Sequence, residues 1–537
     1  MTAAAWEPSS STEPATAGTI ILPTRSEALS LLAVYEEHIE FLHHVTYTPR
    51  TYRILNQVYD VVERGDIPPP GLVSLLTSIF ASSVAFQYAI GSRKDLLGIS
   101  RPDARKAIVL WSKATFDCLD TSTRLGSYGL EDLQAFITIF FLMYNLEGAN
   151  SRTRTGMSLS LGIARDLGLH RLDHPTFRRH HPLEVADKID LEIKRRIWWH
   201  LSVTDWYLGV SGGPQEGTYS VQPRQVATNL PRHIEEADLE AEDASFERPL
   251  SEPTASSYLI QRIRLGQICR KIIDATPLGM LGAESINYDD IVALDQEFET
   301  FQRELPLFFQ DHIEAHQQCR DLYNRRPTVL VQKYIVNMIY QNRRCRLHQP
   351  YLVRGFTNSA YAHSRDVCLR SARAVIAIQH QVVKEQLVSA SLLALSGVHH
   401  HMFFAAVALV MDLCFNRTNG REEEEAARRL EVMDACRILE DANDRSPVAK
   451  RFLDSLMDVM KKHKIKLFDA PPPPAEAAAP ESAPVPPTLP TEMPDFDPCA
   501  TAQTEFEEIW QSYIDHGSTM DVPDWAELFD DLQTQFE

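Results

Sequence analysis

Between Pro23 and about Phe468, apolar side chains return every three or four positions in segment after segment, and no stretch alternates cleanly with a period of two. That spacing lays one apolar stripe along a helix, whereas a half-buried strand needs strict alternation. Such a chain has to fold as helices that cover one another's stripes. The expected segments are Arg101–Leu119, Leu130–Asn145, Thr153–Leu167, Leu191–Val210, Tyr258–Asp274, Asp289–Glu304, Val329–Arg346, Ser364–Gln379, Ser391–Phe415, Glu422–Ala442 and Ala449–Lys462. Within SEALSLLAVYEEHIEFLHHV, Leu29, Leu32, Val34, Tyr35, Ile39 and Leu42 form a wide stripe, with Ser26 as the expected N-cap. Pro68–Ile90 is apolar on nearly every side, as a helix in the middle of a bundle would be. The fold class that follows is all-α, a large multi-helix domain spanning residues 23–468.

The flanks read differently. Residues 1–22 are rich in Ala, Ser, Thr, Pro and Glu, a composition expected to stay disordered. Inside the domain, Gly212–Leu230 reads as an ordered loop and Pro231–Thr254 as an acidic, exposed connection. Residues 469–502 form a Pro/Ala-rich linker, extended because proline favours polyproline II. In the last segment, 503–537, acids alternate with large apolar groups. Phe506, Ile509, Trp510 and Tyr513 fall at i, i+3, i+4, i+7, and Trp525, Leu528, Phe529 and Leu532 repeat the spacing. A disordered acidic end needs no such placement. A segment that folds into a partner's groove needs it for burial, with the acids supplying solubility and steering.

Charge and cysteine usage narrow the function classes. The formal net charge is −20, unfavourable for gripping phosphate backbones unaided. Sixteen acids and no Lys or Arg lie between Leu467 and Glu537, so the tail carries most of that imbalance. The eight cysteines never come closer than the 22 positions between Cys414 and Cys436, which leaves no local Cys pair for a zinc site. The longest uninterrupted apolar run, Met402–Met411, is half of the roughly 20 residues a membrane span needs, so no membrane segment is expected. The N-terminus lacks the basic and apolar regions of a secretory signal, and an intracellular protein is the expectation.

Several local motifs invite chemistry. Gly209, Val210, Ser211, Gly212 and Gly213 match Gly-x-Ser-x-Gly, but a nucleophile elbow joins a strand to a helix, and here a helical pattern precedes the motif and Pro214 follows it. A helix ending is the plainer reading, and no enzyme is expected. The clusters His43-His44, His180-His181 and His399-His400-His401 lack the i, i+4 spacing that converges on one ion. Lys194-Arg195-Arg196 beside Trp198 and Trp199 could meet phosphates and bases, but Ile193, Ile197, Leu201, Thr204 and Leu208 make a continuous stripe with Trp198 at its edge, which favours packing. KKHKIK, from Lys461 to Lys466, reads either as a nuclear-import signal or as basic residues closing a helix.

Four stretches together resemble the regulatory, or middle homology, domain of fungal Zn₂Cys₆ binuclear-cluster transcription factors. They are LPTRSEALSLLAVYEEHIEFLHHV, GIARDLGLHRLD, EIKRRIWWHLSVTDWYLGVSGGP, and VNMIYQNRRCRLHQPYL leading into SRDVCLRSARAVI. The residues that carry the likeness are Gly168, Leu169, His170, Arg171, Arg195, Arg196, Trp198, Trp199, Asp205, Pro214, Leu347, His348 and Pro350. Two departures stand out. Gly212-Gly213-Pro214 replaces the family's Gly-Arg-Pro, and no cysteine precedes Cys118, so the six-thiolate DNA reader is not built by these residues. The resemblance implies a nuclear transcriptional regulator, with the cytoplasm as the other compartment. Promoter DNA is then reached only indirectly, through a separate zinc-cluster segment, which alone would need zinc, or through a homodimer or DNA-binding partner. A coactivator is the partner implied for the tail, and a small-molecule effector is the partner if the helical domain is a sensor.

Overall fold

A computed structural model of the chain describes residues 3–5, 19–90, 101–148, 150–181, 187–211, 214–240, 246–276, 287–385, 395–416, 422–441 and 447–462. Among these, the only β-structure is a three-residue antiparallel pair, Ala3–Ala5 with Thr19–Ile21, in the register Ala3↔Ile21. It falls in the stretch expected to be disordered. Thr19, Ile20 and Ile21 are all β-branched, which suits a strand.

The first long helix, Arg25–His38, begins two residues earlier than the Ser26 cap would have it. Thr24 is the N-cap: its Oγ1 accepts from the Glu27 amide at 3.3 Å, and Glu27 Oε2 accepts from the Thr24 amide at 2.7 Å. This reciprocal Thr-x-x-Glu box satisfies two orphan donors, which Ser26 could not do from inside the first turn. The stripe then breaks at Ile39, and a short helix Glu40–His43 ends with His44 in the left-handed region at φ 52°. The helix Thr48–Glu63, missing from the expected set, follows and buries Ile54, Leu55, Val58 and Tyr59.

Pro70–Ile90 lies at the centre of this half, packed on Arg25–His38, Arg101–Leu125 and Leu130–Glu147. Several of its hydroxyls find carbonyls: Thr77 Oγ1 donates back to the Val73 carbonyl at 2.9 Å, and Ser83 Oγ reaches the Leu31 carbonyl of the neighbouring helix at 2.8 Å. Pro70–Ala89 and Gly397–Phe415 are long and apolar enough to cross a membrane, but 72% and 78% of those windows are covered by the rest of the fold. That is how core helices of a bundle behave.

Three large apolar cores run through the described residues, beside a small cluster of Leu172, Phe177 and Leu191. The first spans residues from Leu22 to Ile263, the second from Tyr258 to Val398, and the third from Cys345 to Met460. Ser257–Ala275 contributes to the first and second, and Pro327–His348 to the second and third. One connection departs from expectation. Residues 231–254 are not simply exposed: Arg232, His233, Ile234, Leu239 and Thr254 are buried, because the segment 236–240 coils as a 3₁₀ turn against the helix Lys188–Leu208. The expected domain end near 468 lies outside the described residues, the last described helix being Pro447–Lys462.

Candidate functional site

The helix Lys188–Leu208 carries most of the motif text, and the fold shows what its residue types are for. Asp187 caps it, accepting from the amides of Ile189 and Asp190 at 3.0 Å each. Ile193, Ile197 and Leu201 are buried, and so are Trp198 and Trp206 at 1% and 2% exposure. The basic run faces acids rather than solvent. Lys194 Nζ is 2.7 Å from Asp190, and Arg195 grips Asp173 with Nε at 3.1 Å and Nη2 at 2.5 Å. Glu192, fully buried, lies within 3.5 Å of Arg195, Arg196 and Arg232, and also accepts from the Arg232 amide at 2.9 Å. Buried cations paired this way cannot also hold a phosphate backbone, which removes direct nucleic-acid contact by this helix.

The polar atoms on the same helix fasten a loop. Trp199 Nε1 donates to the Asn229 carbonyl at 2.8 Å and Trp206 Nε1 to the Val221 carbonyl at 3.0 Å. Asp205 Oδ2 accepts from the amides of Ser220 and Val221 at 2.7 and 2.8 Å, while burial holds its carboxyl above the usual carboxylate range. Residues 214–234 are therefore pinned along one side of the helix. The turn at 168–173 is held from the other direction. Gly168 sits at φ 74°, where a Cβ would come 2.6 Å from Phe177. Leu169 is buried, and its carbonyl accepts from Thr228 Oγ1 at 2.5 Å. The His170 ring lies 6.0 Å from Trp198, and the Arg171 guanidinium lies over the Phe177 ring at 5.5 Å.

Ser211 stands just past the helix end, donating its hydroxyl to the Tyr207 carbonyl and accepting from Arg343 Nη2 at 3.0 Å. No strand leads into it, so the nucleophile-elbow geometry is not met. Gly212 and Gly213 lie outside the described residues, and Pro214 is exposed.

The late signature residues build a second joint. Leu347 and His348 are buried and Pro350 is exposed. His348 Nδ1 lies 2.8 Å from Ser364 Oγ, and its Nε2 lies 3.1 Å from Asp295. Asp295 accepts from Arg344 Nε and Nη2 at 2.6 and 2.8 Å, with His363 at 3.3 Å. These donors hold the Asp295 carboxyl far below the ordinary range, against the burial that would raise it. Asp295, His348 and His363 offer ligand atoms within 4.8 Å of one another, but the guanidinium of Arg344 already takes both carboxylate oxygens. The cluster reads as an ion-paired joint between Tyr288–Arg303 and Pro327–His348.

Beside the signature helix lies an open cleft of about 850 Å³, lined by Trp199, Trp206, Arg264, Lys271, Glu297 and Phe301. Its charges are matched across the walls, Lys271 with Glu297 at 2.5 Å and Arg264 with Glu304. Nothing in the sequence pointed to it, because its walls come from three successive helices and the loop at Pro223, Val226 and Thr228, which meet only on folding. The eight tail residues Phe506, Ile509, Trp510, Tyr513, Trp525, Leu528, Phe529 and Leu532 lie outside the described residues.

The chain is 37% identical over 535 residues to a probable transcription factor, lepB, of Aspergillus flavus, covering 96% of this chain and 93% of that one. It belongs to a family of fungal transcription factors. The regulator is also 28% identical to the agnestins biosynthesis cluster transcription factor AgnL11 of Paecilomyces divaricatus, over 92% of this chain and 73% of that one. At 22% identity and 57% of this chain, it matches a Zn(2)-C6 fungal-type transcription factor of Monascus ruber, covering 35% of that protein. No family model matches the chain. Among solved structures, the Kluyveromyces lactis CBF3 core shares the fold with a TM-score of 0.51 and 12% identity over 82% of each chain. The regulator is thus a transcriptional regulator whose most recognisable text is structural scaffold.

Proposed function

We propose that the regulator is an activator of RNA polymerase II transcription in the nucleus, recruiting a coactivator through its C-terminal segment. The observation that carries this reading is the doubled i, i+3, i+4, i+7 pattern of Phe506, Ile509, Trp510, Tyr513 and Trp525, Leu528, Phe529, Leu532 on a segment with no Lys or Arg. Burying two or three such groups in a groove contributes roughly 1.5–3 kcal/mol each before ordering costs, enough for micromolar affinity. The helical domain is held at the promoter by a zinc-cluster segment, where zinc would be bound, or by a homodimer or other DNA-bound partner. The name of the Paecilomyces relative supports a biosynthetic gene cluster as the target.

The test fuses residues 491–537 to an unrelated DNA-binding module and reads a reporter. Activation that drops to background when Phe506, Trp510, Trp525 and Phe529 are changed to Ala is the expected outcome. Output equal to that quadruple variant from the intact segment sinks the activator reading.

A further inference from the structure

Deep in the domain, where Glu40–His43, Leu130–Glu147, Lys188–Leu208, Ser257–Ala275, Pro327–His348 and Ser396–Phe415 converge, two guanidinium groups share one aromatic ring. The Arg262 and Arg343 head groups lie 5.6 and 5.3 Å from the Tyr207 ring centre. Their hydrogen-bond partners are neutral. Arg262 reaches His200 Nδ1 at 3.1 Å and Thr204 Oγ1 at 2.8 Å, while Arg343 reaches the Val210 carbonyl and Ser211 Oγ at 3.0 Å each. Among the described residues, neither has a carboxylate partner. Arg343 is 7% exposed, and its Nε has no hydrogen-bond partner.

The surroundings add donors, and the carboxylate that acts on His43, Glu40, is itself met by His44 at 3.4 Å and Thr46 at 3.3 Å. His43, 2% exposed, has no partner on either ring nitrogen, and its ring lies 5.8 Å from that of His200. His401 Nδ1 is likewise unpartnered. Burial pushes the His43 and His401 rings down to about 3, so both are neutral and can donate one N–H each. Tyr144, Tyr207 and His401, on three of these helices, each keep part of their surface uncovered. The Glu216 carboxylate is engaged by Arg346 at 3.1 Å.

A buried guanidinium without a counter-charge is strongly unfavourable, and each unmet donor around it adds to the penalty. The arrangement becomes favourable when an anion enters: two fixed cations meet the charge, neutral imidazoles donate to it, and tyrosine rings flank a flat body. We propose that this chamber is a binding site for a small organic carboxylate with an aromatic body, its carboxylate on Arg343 and Arg262 and its ring against Tyr144 and Tyr207. Arg343 also holds Val210 and Ser211, and Arg346 holds Glu216, so occupancy bears directly on the loop that the signature helix fastens. This goes beyond the activator reading and is independent of it, because binding is measured on the purified chain without any reporter.

The experiment follows the thermal stability and equilibrium dialysis of the full chain with benzoate and phenylacetate as probes, against uncharged benzyl alcohol and inorganic phosphate. A saturable rise in melting temperature with the aromatic carboxylates alone is expected, since a ligand of the folded state shifts unfolding by mass action. Arg343→Gln and His401→Leu should each weaken binding by about 10-fold or more, the loss of one charge-assisted or buried hydrogen bond. Arg264→Gln, in the open cleft, should leave it unchanged. No saturable rise with either carboxylate, equal affinity in both chamber variants, loss in the cleft variant, or a preference for phosphate would each overturn the proposal. His401→Leu and direct dialysis of the unmodified chain keep the test decisive if Arg343→Gln does not fold.

Discussion

At the scale of single residues, the domain stores its polar groups inside. Glu192 serves three arginines, and Asp205 takes two backbone amides, so removing either acid strands several donors at once. The buried histidines have a measurable consequence. His43 and His401 are held near 3, and His200 and His400 are also held below the ordinary 6.5, all by burial with Arg262 or Arg343 adding to it. Once pH falls below about 6.5, the unfolded chain takes up protons that the folded chain refuses, so stability rises with pH through this window and is lost on acidification. Glu40 opposes the effect at His43 but does not reverse it. The melting temperature should therefore fall by several degrees between pH 7 and pH 5, above the range where most carboxylates titrate, and His43→Phe should flatten that slope in a differential-scanning measurement. An unchanged slope would mean that the rings are solvated.

At the scale of elements, the close crossings rest on small residues. The Cβ of any residue at Gly156 would land inside the Phe140 ring of the preceding helix, whereas Gly162, two turns on, faces open space. Gly156→Val should cost about 1–3 kcal/mol or more by overpacking, while Gly162→Ala should be neutral or slightly stabilising, both read from urea unfolding. Helix periodicity was the legible part of this architecture: Leu130–Glu147, Tyr288–Arg303 and Pro447–Lys462 lie within a few residues of their expected bounds because a stripe of apolar residues announces itself locally. Thr48–Glu63 escaped because it opens with Thr-Pro-Arg-Thr and has few large apolar groups before Ile54. On the signature helix, Trp198 beside an unbroken stripe packs inward and is 1% exposed. Neither the open cleft nor the basic chamber could be read from the text. Arg262 and Arg343 are 81 positions apart on different helices, and only folding places both on Tyr207.

At the scale of the whole molecule, three cores are knit into one by helices that belong to two of them. Ser257–Ala275 and Pro327–His348 leave no surface along which the cores can part without exposing apolar area on both sides. Calorimetry and near-ultraviolet circular dichroism should therefore report a single, coincident unfolding transition for residues 19–462. Two resolved transitions would show that the cores stand separately. The shared helix Pro327–His348 has 22 residues and so runs about 33 Å, with Tyr334 and Tyr340 in one core and Cys345 in the next. It behaves as an axle. Arg343 rides on it between the two ends, and one residue later Arg344 locks it to Asp295. A small rotation imposed at Arg343 would be delivered to the third core without any intervening hinge to absorb it, and that core ends in Pro447–Lys462, the last described helix before the acidic segment.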